Sequence, residues 1–229
     1  MITSQKMNPY TDNFIRIFRS AANPEKAGPM KAYMKNRFGF LGINSPARKE
    51  LIRPFLMKNA LPSTEELRPI IQELWEMPER EYQYVAMELF SRYNRVAEES
   101  WIDLYHHMIT EKSWWDTVDF IAATLVGNYF RKFPESINLV TDRWIRSENI
   151  WLQRSCLLFQ LKYKRQTDTA LLSSFIMPLA HRKDFFIAKA IGWALREYSK
   201  TDPGWVLDFV NGQSLQPLSR KEALKRISS

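Results

Sequence analysis

Lys112-Ser113-Trp114-Trp115-Asp116-Thr117-Val118-Asp119 places a pair of tryptophans at a helix start and a carboxylate one turn later. Ser113 and Asp116 are both suited to capping that helix. One of Trp114 and Trp115 can face a core while the other points away. Asp119 follows Trp115 by four residues, so the two share a helical face. The pattern recurs: Trp151 and Phe186 follow at intervals of roughly 35 residues, within the range of helical repeats. Four residues after each aromatic comes a small or polar residue, Asp119, then Ser155, then Ala190. Ala223 fits the same register loosely. Helix pairs of this kind cannot bury their apolar faces alone. They stack into a solenoid with a concave inner surface.

Working outward, the rest of the chain reads the same way. Helices are expected near 9–21, 26–36, 46–59, 64–75, 79–93, 97–109, 115–131, 134–145, 149–164, 168–182, 184–199, 203–211 and 219–227. Pro9, Pro24, Pro46, Pro78, Pro134 and Pro203 lie near their starts, where a missing N–H costs little. Asn8-Pro9, Asn23-Pro24 and Ser45-Pro46 pair a capping side chain with proline. Only 7 glycines and no sustained apolar–polar alternation argue against a sheet protein. Hydrophobic residues at 45% supply a core without metal or disulfide staples. The single cysteine, Cys156, excludes an internal disulfide and sits in an apolar run. With one Cys, three His and no HExxH pattern, no metal site is expected. No apolar run reaches membrane-spanning length, and an intracellular location is expected.

Lys plus Arg exceed Asp plus Glu, 33 to 25, for a net charge of +8. A phosphate-rich partner follows if that excess lies on one face. In the repeat register Arg154 precedes Ser155, Lys189 precedes Ala190, and Glu222 precedes Ala223 with the cations Arg220 and Lys221 nearby. That predicts a basic stripe. A carboxylate at position 119 is costly if buried alone, and Arg154 is its natural partner. Spacing leaves open whether the pair is an inter-repeat bridge or part of a site. A second constellation is Phe185-Phe186 with Trp193 and Arg196, and a third is Tyr33 among Lys31 and Lys35.

Taken together, several stretches in order resemble the AlkD-like DNA alkylation repair family of HEAT-like repeat glycosylases. They are Tyr33-Met34-Lys35-Asn36 with Phe40-Leu41-Gly42-Ile43, Glu73-Leu74-Trp75 with Pro78-Glu79-Arg80-Glu81, and Lys112-Ser113-Trp114-Trp115-Asp116. Asn149-Ile150-Trp151-Leu152-Gln153-Arg154 and Phe159-Gln160-Leu161-Lys162-Tyr163-Lys164 follow, then Phe185-Phe186-Ile187, Lys189-Ala190-Ile191-Gly192-Trp193 and Leu195-Arg196-Glu197-Tyr198.

The resemblance covers essentially the whole chain. It implies one all-α, HEAT-like superhelical domain over 1–229, with a concave basic face. It implies a monofunctional glycosylase acting on N3- or N7-alkylated purines, such as 3-methyladenine and 7-methylguanine, in double-stranded DNA, without base flipping. The catalytic Asp falls on Asp119, with Trp115, Trp193 and Arg154 beside it. DNA contacts fall on Tyr33, Lys162, Phe185, Phe186 and Arg196, with Lys189 added by the charge register. Asn44 and Lys49 stand where the family pattern has Gln and Arg. The last helix reads as shorter than the pattern. No cofactor is implied, and a cytoplasmic, nucleoid-associated monomer is expected. The competing expectations are a non-catalytic binder of distorted or branched DNA and a protein-binding helical scaffold. In the scaffold case Trp115 and Trp193 would be buried; in a glycosylase both should be substantially exposed.

Overall fold

The computed structural model describes residues 7–227. Among them the helices are α1 (Pro9–Ser20), α2 (Pro24–Tyr33), α3 (Ser45–Ile52), α4 (Thr64–Glu76), α5 (Arg80–Ser91), α6 (Trp101–Thr110), α7 (Trp115–Phe120), α8 (Gly127–Lys132), α9 (Ser136–Arg146), α10 (Ile150–Leu158), α11 (Thr169–Leu179), α12 (Phe185–Tyr198), α13 (Pro203–Gly212) and α14 (Pro217–Leu224). A π-helical segment, Ile121–Val126, joins α7 to α8 without a break. The fold is an all-α helical repeat; the pairing outside it is an isolated bridge between Gly39 and Glu79.

The expected helices are found, and the differences lie at their ends. The stretch expected at 46–59 is helical only to Ile52 and continues as two 3-10 turns, Arg53–Leu56 and Lys58–Ala60. Pro54 explains this, since its ring clashes with the carbonyl four residues back. The stretch expected at 149–164 ends at Leu158. Gln160, buried, closes the following turn by donating to the Asp168 carbonyl at 3.2 Å and accepting from the Asp168 N–H at 2.8 Å. Asn44, not Ser45, caps α3. Neither Ser113 nor Asp116 caps α7: its N-cap is Trp114, without a side-chain bond, and Ser113 instead donates to the Ile109 carbonyl at 2.6 Å.

Five helices begin at Ser45, Arg80, Trp115, Ile150 and Phe185, steps of 35 residues. This alignment corrects the sequence register by one residue. Trp115 corresponds to Ile150 and Phe185, so the counterparts of Asp119 are Arg154 and Lys189 rather than Ser155 and Ala190. Two adjacent tryptophans made the register ambiguous, and it is Trp114 that turns inward, to 8% exposure. Trp114, Trp151 and Phe186 form one cluster, with ring centroids 4.9 to 5.7 Å apart. Gln83 and Gln153, at equal helix positions, do the same work. Gln83 donates to the carbonyls of Leu74, Trp75 and Met77, and Gln153 to those of Ile145 and Ser147. Each satisfies carbonyls that the preceding helix leaves orphaned.

Contacts divide the chain into two compact units, Met1–Arg95 and Val96–Ser229. In the first, Phe14, Phe18, Ile70, Leu74, Trp75 and Tyr82 are fully buried. The buried Glu81 carboxylate accepts from the N–H groups of Leu41, Gly42 and Ile43 at 3.1, 2.9 and 3.1 Å, which pins the loop leading to α3. Gly42 has φ +85, and a Cβ there would lie 2.0 Å from the Asn23 carbonyl oxygen, so only glycine fits. In the second unit α10 packs against α7, α9, α11 and α12 and buries Leu152, Cys156, Leu157 and Leu158. Burying one such side chain stabilises the fold by about 1.5–3 kcal/mol. Burial also pushes the Cys156 thiol well above its ordinary range, so it is an inert core group.

Candidate active site

Asp119 lies near the end of α7, immediately before the π-helical segment. Arg154, one repeat later on α10, meets it with a two-pronged contact. Its Nε donates to Oδ1 at 2.7 Å and its Nη2 to Oδ2 at 2.9 Å. The third nitrogen, Nη1, donates to the Phe186 carbonyl on α12. Arg154 is 4% exposed, so the guanidinium is locked by three bonds from two helices. The Asp119 side chain keeps 14% exposure.

That residual exposure opens into a cleft of about 350 Å³ lined by Asp119, Phe120, Ala123, Thr124, Leu161, Lys162, Trp193 and Glu197. A carboxylate offers about four acceptor positions. Arg154 takes two of them, leaving others for a group in the cleft. Lys162 is exposed on the wall and donates to Thr124 Oγ1 at 2.6 Å. Thr124 is carried by the π-helical segment, whose wider turn brings it to the same cleft as Asp119. Partial burial lowers the Lys162 ammonium's pKa from its ordinary value.

Burial raises the Asp119 carboxyl above its ordinary range; the hydrogen bonds and charge of Arg154 oppose that, and Asp116 adds to it. Arg154 is therefore what favours the anion against desolvation. The paired N–H contacts to both oxygens are the geometry of an ionised carboxylate.

The structure brings Asp119, Trp193 and Lys162 to one cleft, with Arg154 behind the carboxylate. Trp115 is not among the lining residues; it stands at the first position of α7. Trp115 and Trp193 are each partly buried, neither as open as a glycosylase reading anticipates nor sealed as a scaffold would have them. Phe185 is 57% exposed, whereas Phe186 is partly buried in the tryptophan cluster. Tyr33, 68% exposed, ends α2; Asn44 caps α3 and Lys49 lies exposed in its last turn.

The bare basic stripe expected from the register is not what the second unit shows. Arg154 is buried against Asp119, and Lys189 and Arg196 both pair with Glu222. Sequence reasoning did not single out Thr124 or Glu197, and it placed Glu222 in the register before Ala223 without foreseeing its ion pairs. Glu197 belongs to a stretch that resembles the family, Leu195-Arg196-Glu197-Tyr198, but nothing in its spacing placed it in a cleft. Among the described residues no group of three or more His, Cys, Asp or Glu could hold a metal ion, and no helix is long and apolar enough to cross a membrane.

A model of the DNA alkylation repair enzyme family matches residues 15–227. A solved structure described as a predicted DNA alkylation repair enzyme from Enterococcus faecalis is 34% identical, over 91% of this chain and 97% of that one, with a TM-score of 0.84. No curated protein matches the chain. The match of the family model over nearly the whole sequence, joined to the similarity in fold and sequence, settles the family: the chain belongs to the DNA alkylation repair enzymes.

Proposed function

We propose that the chain is a monofunctional DNA glycosylase that hydrolyses the N-glycosidic bond of cationic N3- or N7-alkylated purines in duplex DNA, with Asp119 as the catalytic carboxylate. One observation carries the reading: a carboxylate held by a buried arginine still faces an open cleft that has an indole and an ammonium in its walls.

The chemistry suits that arrangement. An alkylated purine already carries positive charge, so it leaves without being protonated. As the bond between C1′ and the purine nitrogen breaks, its electron pair neutralises the base. Positive charge then develops on the sugar as an oxocarbenium ion, as in other glycoside cleavage. Asp119 stabilises that charge across the cleft, where low dielectric strengthens the interaction. The Trp193 indole offers an electron-rich surface to the same cation; Trp115, one turn before Asp119, borders the reacting sugar in this reading. A water molecule adds its oxygen to C1′ and gives its proton to Asp119, which passes it to solvent.

Recognition in this reading falls on the sugar–phosphate backbone and not on a flipped base. Lys162, Phe185, Phe186, Lys189 and Arg196 serve it in the second unit, and Tyr33, Asn44 and Lys49 in the first. Specificity then comes from the lability of cationic lesions, and the enzyme acts as a cofactor-free, cytoplasmic monomer with a single domain over 1–229.

The test is an excision assay on methylated duplex DNA. Release of 7-methylguanine or 3-methyladenine, leaving unbroken abasic strands, is the expected result. Duplex binding without release of either base would overturn the enzyme and leave a non-catalytic DNA binder.

A further inference from the structure

The cleft holds two opposite charges that do not meet. Asp119 and Lys162 both line it. Arg154 takes two of the roughly four acceptor positions of the carboxylate, so others stay open. A lysine ammonium rides on a flexible four-carbon stem, and low dielectric strengthens its attraction to a carboxylate. Nonetheless, among the described residues Asp119 pairs with Arg154 alone. Lys162 donates instead to Thr124 Oγ1 at 2.6 Å, with its Nζ 6.0 Å from the Phe120 ring centroid. The titrations agree with that separation. Arg154 and Asp116 are the charges that act on Asp119, and burial alone lowers Lys162.

The backbone on both sides of the Lys162–Thr124 bond is fixed. A Cβ on Gly127 would lie 2.5 Å from the Phe159 carbonyl oxygen, so the start of α8 and the end of α10 meet backbone to backbone. Tyr163 donates its hydroxyl to the Gly127 carbonyl at 2.7 Å, and Arg131 Nη2 donates to the Lys162 carbonyl at 2.9 Å. Asn128 Nδ2 donates to the Thr124 carbonyl at 2.6 Å. These contacts place the two backbones but leave the lysine stem free to turn. The Thr124 hydroxyl therefore decides where the ammonium rests, and the π-helical segment Ile121–Val126 carries that hydroxyl to the cleft.

We propose that Thr124 is a positioning residue that tethers the Lys162 ammonium away from Asp119. The tether keeps the remaining lone pairs of the carboxylate open to the sugar and its attacking water, and keeps the ammonium directed at the DNA backbone. Without it the site would quench itself by an internal ion pair. The inference deepens the proposed function and rests on the role given there to Asp119.

Single-turnover release of 7-methylguanine by the full chain, with enzyme saturating so that affinity does not enter, reads the tether. Thr124→Val keeps the branched shape and removes the acceptor. It should slow release by about 10-fold or more. It should also move the acid limb of the rate to lower pH, because an ammonium beside Asp119 favours its anion. Thr124→Ser, which restores the oxygen, should recover most of the rate. On a Lys162→Gln background Thr124→Val should change neither rate nor limb further, since no ammonium remains to cross. A slowdown that persists on that background would make Thr124 merely structural. A wild-type rate and limb for Thr124→Val, whatever its affinity, would equally overturn the tether, and both results leave the glycosylase standing. If Thr124→Val does not fold, Thr124→Ala is read the same way. A wild-type chain that releases no base overturns the tether and the proposed function together.

Discussion

Asp119 stands between two opposed influences. Desolvation favours its neutral form, and the Arg154 guanidinium favours the anion. The proposed chemistry needs the anion, so excision should fall as pH falls through the Asp119 titration. That acid limb should lie above 3.8, the ordinary aspartate value, because burial raises the carboxyl. Arg154→Gln removes both of the influences that lower it. The limb should then move to higher pH, measured as the single-turnover excision rate across an acid pH series. An unmoved limb would show that Arg154 does not set the ionisation. The same shift bears on stability. A carboxyl raised in the fold binds its proton at higher pH than in the unfolded chain. Its contribution to stability is thus lost as pH rises from the unfolded value through the folded one. At this scale the sequence was informative about identity and weak about placement. Asp119, Arg154 and Trp193 could be singled out from their types and spacing, and only the family resemblance joined them in one expected site. That Arg154 would also hold the Phe186 carbonyl, or that Trp115 would stay out of the cleft wall, depends on side-chain directions that spacing does not encode.

Between helices the decisive features are close approaches and repeated caps. Helix existence was legible because apolar periodicity and Asn/Asp–Pro caps agree along the chain. Register was legible only to one residue, since Trp114 and Trp115 are equally good aromatic anchors. The π-helical segment after α7 left no sequence signal at all, because its side chains suit an ordinary helix. Gly192 shows the cost of close contact. Gly192→Ala would drive a methyl into the Glu222 Cβ and the Ser219 carbonyl. It should destabilise the protein by about 1–3 kcal/mol, read from the denaturant midpoint. A midpoint equal to wild type would show that α12 and α14 yield more easily than their packing indicates. Gln153→Ala tests the repeat logic. It leaves the Ile145 and Ser147 carbonyls and the Arg182 guanidinium without that partner, and should cost about 1–3 kcal/mol.

For the whole chain, the net charge of +8 and the family membership point to nucleic acid, but the charge is deployed differently from a plain basic stripe. In the second unit two carboxylates, Asp119 and Glu222, organise Arg154, Lys189, Arg196 and Lys225. Composition could count these groups but not pair them, because pairing is a property of the folded repeats. A site that stabilises a cationic sugar and does not enclose the base should select for leaving-group lability. Duplexes carrying 7-methylguanine or 3-methyladenine should lose the base, whereas neutral lesions such as uracil or hypoxanthine should survive under the same conditions. Comparable release of a neutral base would contradict the proposed dependence on leaving-group lability.

The most direct measurement compares wild type with Asp119→Asn for 7-methylguanine release and for duplex affinity on the same DNA, below the unfolding temperature of both. Removing the charge while keeping the shape should slow release by about 100-fold or more with duplex affinity retained. Release at the wild-type rate by the Asn variant would contradict the account.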